Sequence, residues 1–174
     1  KMTPNGYTLE HRPRTTGSGG GVAVIYRKSV ILKVLTPRDF KSFENMEVFL
    51  QQGKKTIRVM CLYCPPPSKE NQLKNSMFLE EFPPLLSTMS ATTSNLLVIG
   101  DLNFHYDQPD HSDTRRLIQL LDSTGLRQEV SVATHNKNHI LDWIISRPNP
   151  INPLVQSVKV DDLQLSDHFL VTMN

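Results

Sequence analysis

The second half of the chain carries three clusters of polar side chains, and each adjoins a short apolar run. The clusters are Gly100-Asp101-Leu102-Asn103 after Leu96–Ile99, Asp142 within Ile140–Ile145, and Ser166-Asp167-His168 before Phe169–Val171. Short apolar runs of this kind predict buried strands. Because a rigid sheet can bring polar groups at its strand ends to one place, we expect these side chains to line a single cleft.

Phosphodiester hydrolysis needs the groups that these clusters contain. A water molecule must lose a proton while it is aligned with the leaving oxygen, and the phosphate charge must be offset. Asp101 has a carboxylate that can accept the proton, and the amide of Asn103 can hold the water. His168 can hydrogen-bond a non-bridging phosphate oxygen, and Asp142 can orient its ring and raise its pKa.

Asp167 is the candidate metal ligand. Magnesium prefers hard oxygen ligands and keeps several waters, and manganese accepts similar ligands. Each of these residues is weak support alone, because an Asp after a strand is more often an N-cap or turn residue. An Asp-His dipeptide is usually only surface. The prediction of a hydrolytic site therefore depends on the order and placement of all the clusters together.

The elements that must position these residues can be predicted from apolar runs and turn residues. Predicted strands are Val22–Tyr26, Val30–Leu35, Met46–Gln51, Thr56–Cys64, Leu96–Ile99, Ile140–Ile145, Val155–Val160 and Phe169–Thr172. Gly53-Lys54 predicts a hairpin turn. One helix should start at Ser76, break at Pro83-Pro84 and restart over Leu85–Met89. A second should be capped by Asp113 and closed by Gly125. This pattern indicates an α+β domain with helix-covered mixed sheets.

Composition fits one globular domain. The chain has 174 residues, of which 38% are hydrophobic and 21% charged. No apolar run approaches a membrane helix, and residues 1–14 are too polar for a signal peptide, so we expect an intracellular protein, nuclear or cytoplasmic. Residues 1–60 contain eleven Lys and Arg against four Asp and Glu. This basic half could attract phosphates, although accidental surface charge explains it about equally well.

Three further features have an ordinary structural explanation that we favour. Cys61 and Cys64 form a CxxC, but on a strand they face opposite sides, so we predict two buried thiols rather than a redox or zinc motif. His105 and Asp107 more plausibly shape a loop by hydrogen bonding than contact DNA. Trp143 alternates with apolar neighbours and is predicted to be core, not a platform for an unpaired base.

The ordered clusters resemble the endonuclease/exonuclease/phosphatase superfamily, which includes the apurinic/apyrimidinic endonucleases. Tyr63-Cys64-Pro65 is similar to the family's Tyr-x-Pro, whose tyrosine contacts phosphate. Three longer stretches narrow the resemblance to non-LTR (LINE-type) retrotransposon endonucleases of vertebrate genomes, and the glycine-led run Gly19–Ala23 also fits. The stretches are residues 100–107 (GDLNFHYD), 134–139 (THNKNH) and 165–171 (LSDHFLV). The resemblance implies two mixed sheets packed as a sandwich, with helices on the outer faces.

The chain departs from that family in three places. Asn138 stands where the family usually has glycine, a mild change because Asn tolerates a left-handed backbone. Pro83-Pro84 interrupts a helix that the family keeps continuous. Nothing before Gly19 matches the family's opening strands, which carry an Asn and the Glu that ligates the metal. We therefore expect a polar lead-in over residues 1–16, then a domain over residues 17–174 that lacks its first strands.

The function that this resemblance implies is a Mg²⁺-dependent endonuclease that nicks DNA and leaves a 3′-hydroxyl for reverse transcription. The implied catalytic residues are Asp101, Asn103, Asp142, His168 and Tyr63, with Asp167 on the metal. Two alternatives stay open: a catalytically dead remnant that binds DNA or protein, and an enzyme acting on RNA or a small phosphoester. If strands are missing, an edge at Val22–Tyr26 or Leu96–Ile99 should self-associate or recruit a partner strand.

Overall fold

The computed structural model describes residues 3–14, 20–92 and 95–174. The first glycine of the glycine-led run Gly19–Ala23 lies outside the described residues. In chain order the elements are β1 (Tyr7–Arg12), β2 (Val22–Arg27), β3 (Ile31–Val34), β4 (Glu44–Gln52), β5 (Lys55–Tyr63), α1 (Asn75–Thr92), β6 (Leu96–Asp101), α2 (Ser112–Ser123), β7 (Arg127–Gln128), β8 (Asp142–Ser146), β9 (Val158–Asp161) and β10 (Leu170–Met173).

One six-stranded mixed sheet forms the centre of the fold. Its strand order is β3-β4-β5-β6-β8-β7, and β5 and β6 are its parallel pair. The hairpin β4–β5 turns at Gly53, where φ is +60°, a conformation that glycine adopts without steric cost. The chain then crosses through α1 to place β6 parallel to β5, since parallel neighbours need such a connection.

Two small antiparallel sheets lie on one face of the central sheet. They are the pairs β1–β2 and β9–β10, and they enclose a core with the central strands that includes Met46, Val48, Val59 and Ile144. The helices α1 and α2 cover the opposite face, over a core that includes Phe78, Phe82, Leu117 and Trp143. The predicted α+β sandwich is therefore confirmed, although α1 and α2 both cover the same face of the central sheet.

Residues 1–16 were predicted to be a polar lead-in before the domain. Residues Tyr7–Arg12 instead form β1, paired with β2 from Tyr7↔Arg27 to Arg12↔Val22. The strand is tied further to the domain by Arg12, whose guanidinium donates to the Arg38 and Asn45 carbonyls at 2.9 and 3.1 Å. Its alternation of polar and apolar residues was too weak to identify it from sequence, since Leu9 is its one aliphatic residue.

The helices correct two further predictions. Helix α1 is continuous through Pro83 and Pro84, although each proline removes a backbone donor. Six apolar side chains on α1 are buried in the core, and this packing maintains the helix where local propensity would break it. Asp113 is not the N-cap of α2, because His111 occupies that position. The Asp113 Oδ2 instead accepts a hydrogen bond from Asn75 Nδ2 at 3.0 Å and so links the two helices.

The other structural predictions agree with the fold. Gly125, with φ of +66°, ends α2 in a Schellman motif in which the Leu126 N–H donates to the Leu121 carbonyl. Cys61 and Cys64 are free and buried in the cores on opposite faces of the central sheet, and burial raises the pKa of each thiol. None of the described helices is both long and apolar enough to cross a membrane.

Candidate active site

Four polar residues form one row across four adjacent strands of the central sheet. The register pairs Glu44 with Tyr63, Tyr63 with Asp101, and Asp101 with Asp142. Side chains on a strand alternate between faces, so residues in register point to the same side. These four residues lie on the same face of the central sheet as the core under the small sheets. They occupy the end of that face, beyond its last apolar side chains.

Gly100 permits the close approach of β6 to β5 at this end of the sheet. Its φ is +143°, and a Cβ built at this position would lie 1.9 Å from the Leu62 carbonyl oxygen. No side chain fits at that distance, so only glycine allows the strands to meet directly beside Asp101. The Cys64 N–H then donates to the Asp101 carbonyl at 2.9 Å, which fixes the strand beyond the glycine.

Asp101 and Asn103 form a tight hydrogen-bonded turn directly after β6. The Asp101 carboxylate accepts from the Asn103 backbone N–H at 3.0 Å and from its side-chain Nδ2 at 2.9 Å. The same Nδ2 donates to the Cys64 carbonyl at 2.9 Å, which links the turn to the end of β5. Asn103 adopts φ of +53°, a left-handed conformation that Asn tolerates better than most residues.

His168 is held against both carboxylates of the row. Its Nδ1 lies 2.8 Å from Asp142 Oδ2, and its Nε2 lies 3.8 Å from Asp101 Oδ2. Thr134 links the backbone segments that carry Asp142 and His168. Its hydroxyl accepts a hydrogen bond from the Asp142 N–H at 3.1 Å, and its carbonyl accepts one from the Phe169 N–H at 2.8 Å. The three polar clusters predicted from the sequence therefore meet at one sheet end.

The carboxylates and the imidazole perturb one another. Burial, and then the negative charge of Asp142, raise the pKa of Asp101 to about 6, against the opposing hydrogen bonds from Asn103. Burial lowers the pKa of His168, but the hydrogen bond to Asp142 and the charges of Asp142 and Asp101 outweigh it, so the net shift is upward. The arrangement therefore favours a cationic imidazole between two carboxylates.

Tyr63 stands beside this pair in the row. It is partly buried, and desolvation followed by the Asp101 charge raises the pKa of its hydroxyl, which therefore stays protonated as a hydrogen-bond donor. The Arg14 guanidinium lies 5.9 Å from the centroid of the Tyr63 ring and forms an ion pair with Glu44. Glu44 also accepts a hydrogen bond from the Gly21 N–H.

Asp167 lies on the rim of the site. Its side chain is 65% exposed, and its Oδ2 is 3.4 Å from His135 Nε2. His135, Asp167 and His168 each offer one ligand atom within 4.8 Å of the others. These donors and the nearby Asp101 suit a divalent cation, since an acidic cluster with a raised carboxyl pKa gains from positive charge. The residues present therefore fit a metal-dependent site.

Sequence reasoning missed three residues that contact the site. They are Glu44, Arg14 and Thr134. The signal for Glu44 was available, because a hairpin that turns at Gly53-Lys54 pairs Gln52 with Lys55 and, eight residues further along each strand, Glu44 with Tyr63. Trp143, in contrast, is 1% exposed and donates from Nε1 to the Phe104 carbonyl at 3.0 Å, which confirms it as core.

Comparison with known proteins gives one family match. A sequence model described as "Endonuclease/Exonuclease/phosphatase family" matches residues 2–168. No curated protein matches the chain significantly.

The fold resembles several solved structures. The endonuclease domain of TRAS1, a telomere-specific non-LTR retrotransposon, has a TM-score of 0.74 at 17% identity, over 99% of this chain and 81% of that chain. A 3′–5′ exonuclease (NExo) from Neisseria meningitidis has a TM-score of 0.66 at 17% identity, covering 97% and 79%. TDP2 from D. rerio, solved with a single-stranded DNA product, scores 0.59 at 12% identity, covering 97% and 76%.

The contact at Gly100 generates a prediction about stability. Gly100→Ala should lower the free energy of unfolding by roughly 3 kcal/mol or more, because the methyl group overlaps the Leu62 carbonyl and the backbone is left-handed. Gly53→Ala is the matched control, since its φ is also positive but open space surrounds it; it should cost about 1 kcal/mol. Urea unfolding measures both, and equal losses would show that the approach of β5 to β6 is not constrained at Gly100.

Proposed function

Because the chain belongs to the Endonuclease/Exonuclease/phosphatase family, we propose that it is a metal-dependent phosphodiesterase that nicks one strand of DNA and leaves a 3′-hydroxyl. The observation that carries this proposal is the connected set of Asp101, Asn103, Asp142 and His168 at one sheet end. This set brings together a proton acceptor, an amide and an imidazole whose protonated form is favoured. These are the groups that in-line attack of water on a phosphodiester needs.

Asp101 is the proposed general base. Its pKa of about 6 leaves it ionised at neutral pH but more basic than an ordinary carboxylate, which suits proton transfer near pH 7. Asn103 is held against it by two hydrogen bonds and can present its side-chain carbonyl to the attacking water. That carbonyl is the free end of the amide, because Nδ2 is already donated to Asp101 and Cys64.

His168 and Tyr63 are the proposed phosphate contacts. Asp142 binds Nδ1 of His168, which leaves Nε2 on the side of Asp101 where a phosphate oxygen would be placed. A protonated ring there offsets negative charge as the phosphorane develops. Tyr63 lies on the other side of Asp101 in the same row, and its protonated hydroxyl can donate to a second oxygen.

Asp167 is the proposed magnesium ligand. Manganese is expected to substitute for magnesium at this site. The Asp167 carboxylate is exposed and ionised, since hydrogen bonding holds its pKa below the usual value. The bound cation would supply charge stabilisation to the phosphate and to the leaving oxygen. With Asp167 as its main anchor, metal binding by residues 1–174 should be weak, and so should activity.

DNA is the proposed substrate, and a cleft of about 490 Å³ that adjoins the row at Glu44 could hold its backbone. The lining has four cationic side chains (Arg12, Arg14, Arg38 and Lys41) against three acidic ones (Asp39, Glu44 and Glu70). Guanidinium and ammonium groups can contact a phosphate backbone without reading its sequence. The TRAS1 endonuclease domain, which has the same fold, supports nicking of DNA to prime reverse transcription as the setting.

Nicking of supercoiled plasmid with Mg²⁺ tests the catalytic proposal. We expect the chain to nick DNA slowly. Asp101→Ala and His168→Ala should each lower the nicking rate on the order of 10²-fold or more. Asp110→Ala and His11→Ala are matched controls, because both side chains are exposed away from the row, and they should nick like the parent chain.

A second measurement distinguishes the alternatives. If DNA binding persists while no nicking is seen with Mg²⁺ or Mn²⁺, the chain is a DNA-binding module rather than an enzyme. Nicking that survives Asp101→Ala would place the chemistry elsewhere. Parallel assays with RNA and with a small phosphodiester separate a DNA substrate from the other phosphoesters that the family accommodates.

The two small sheets leave a cleft that we propose to be filled by further strands. Val22 and Ala23 of β2 line one side, and residues 169–171 and Met173 line the other, over a floor that includes Ile99 and Ile144. Within the described residues β2 pairs only with β1, and β10 only with β9. The other predicted edge, Leu96–Ile99, was wrong, because β6 is paired on both sides.

The proposed occupant is an extended segment of further polypeptide, which would add strands beside β2 and β10. This chain covers 81% and 79% of two solved structures with this fold, so the fold has room for further strands. The cleft holds about 400 Å³ and its walls are mostly apolar. Strand addition would satisfy the free backbone groups of β2 and β10 and cover these walls.

Residues 1–174 alone should therefore self-associate, because a second copy can cover the same edges. Size-exclusion chromatography with light scattering should show a mass that rises with concentration. Leu170→Lys, at the cleft, should restore the monomer, whereas Ile31→Lys, also an exposed apolar residue but on β3, should not. A form of the protein in which a further segment fills the cleft should be monomeric. A stable monomer of residues 1–174 at every concentration would overturn the proposal.

A further inference from the structure

A second group of potential metal ligands lies beside the active site and is distinct from it. His105, Asp107 and His139 each offer one ligand atom, and these atoms all lie within 4.8 Å of one another. His105 and Asp107 belong to the loop after β6, whereas His139 belongs to the turn before β8. None of the three belongs to the row or to the His135, Asp167 and His168 group.

The contacts within the group leave one nitrogen unexplained. His139 Nδ1 lies 2.9 Å from Asp107 Oδ2, and Asp107 Oδ1 accepts from the Ile140 N–H at 2.8 Å. These contacts agree with a loop held by hydrogen bonds. His105 makes no such contact: its ring centroid lies 4.2 Å from that of His139, and its Nδ1 is shielded from solvent with no hydrogen-bond partner among the described residues. An unsatisfied buried nitrogen is costly unless something binds there.

The donor set indicates which ion would bind. Two imidazole nitrogens and one carboxylate oxygen suit zinc, which takes three protein ligands and leaves a fourth position for water. Magnesium and calcium prefer sets of oxygen ligands, so the two imidazoles of this group favour zinc over either ion. Asp107 is also oriented to act as a metal ligand, because the hydrogen bond from the Ile140 N–H to its Oδ1 fixes the carboxylate.

We propose that His105, Asp107 and His139 bind a zinc ion that joins the loop after β6 to the turn before β8. The first loop carries Asn103 near its start, and the turn follows Thr134, whose hydroxyl accepts a hydrogen bond from the Asp142 N–H. A zinc ion between them would fix the two segments that place the water-binding amide and the histidine-orienting carboxylate. Its role is structural, and it binds whether or not the chain cleaves DNA.

Titration of metal-free chain with ZnCl₂ alone tests this, by calorimetry and by thermal unfolding. We expect one tight site per chain, a rise in Tm that a chelator reverses, and a cobalt-substituted form with the strong visible absorption of tetrahedral Co²⁺. His105→Ala and His139→Ala should each weaken Zn²⁺ binding by at least about 10-fold. His111→Ala, an exposed histidine of the following segment, should bind as the parent does.

The second cluster provides the decisive control. Asp167→Ala removes a ligand of the His135, Asp167 and His168 group and should leave tight Zn²⁺ binding unchanged. Loss of the tight site in Asp167→Ala but not in His105→Ala would overturn the proposal and assign zinc to the active site. If His139→Ala does not fold, Asp107→Asn keeps the size of the side chain and should still weaken binding. Equal binding by the parent and His105→Ala would also overturn it.

Discussion

The site depends on the register of the central strand β6 against its two neighbours. That register is fixed where Gly100 lets β6 approach the Leu62 carbonyl more closely than any side chain would allow. From that point the pairing places Asp101 opposite Tyr63 on one side and opposite Asp142 on the other. A shift of β6 by one residue would turn Asp101 to the helix-covered face, where the core is apolar, and would remove it from the row.

Placing several carboxylates in one row has an electrostatic consequence that the surrounding groups offset. Glu44, Asp101 and Asp142 point to the same side of adjacent or nearly adjacent strands, and like charges at this spacing repel. Arg14 neutralises Glu44, and His168 lies between the other two. Burial, and then the remaining repulsion from Asp142, raise the pKa of Asp101, which is the property that a general base requires.

Much of this arrangement could be predicted because it depends on local signals. Asp101, Asp142 and His168 each adjoin a short apolar run, so strand ends and polar clusters could be identified together, and the resemblance supplied their common location. The errors arose where tertiary packing outweighs local preference. Burial of the apolar face of α1 carries the helix through Pro83 and Pro84. Strand β1 is recruited by pairing with β2 rather than by its own hydrophobicity.

Glu44 shows a third limit of sequence reasoning. Its type and position look like an ordinary strand start, and only the pairing register connects it to Tyr63 and the site. The same holds for Asp107 and His139, which are 32 residues apart in sequence and meet because two loops converge. The Glu44 contact could have been derived from the hairpin turn at Gly53-Lys54, whereas the contact between Asp107 and His139 follows from topology that no local signal predicts.

The central claim is that one sheet end binds the phosphodiester backbone, and NMR mapping with a short DNA duplex and Mg²⁺ tests it most directly. The measurement reports binding, so slow turnover does not obscure it. We predict that the largest shifts occur at the Asn103 side-chain amide and the His168 ring, with smaller ones at Tyr63. Shifts concentrated at the exposed Ile151 segment or along β3, with Asn103 and His168 unchanged, would contradict the account.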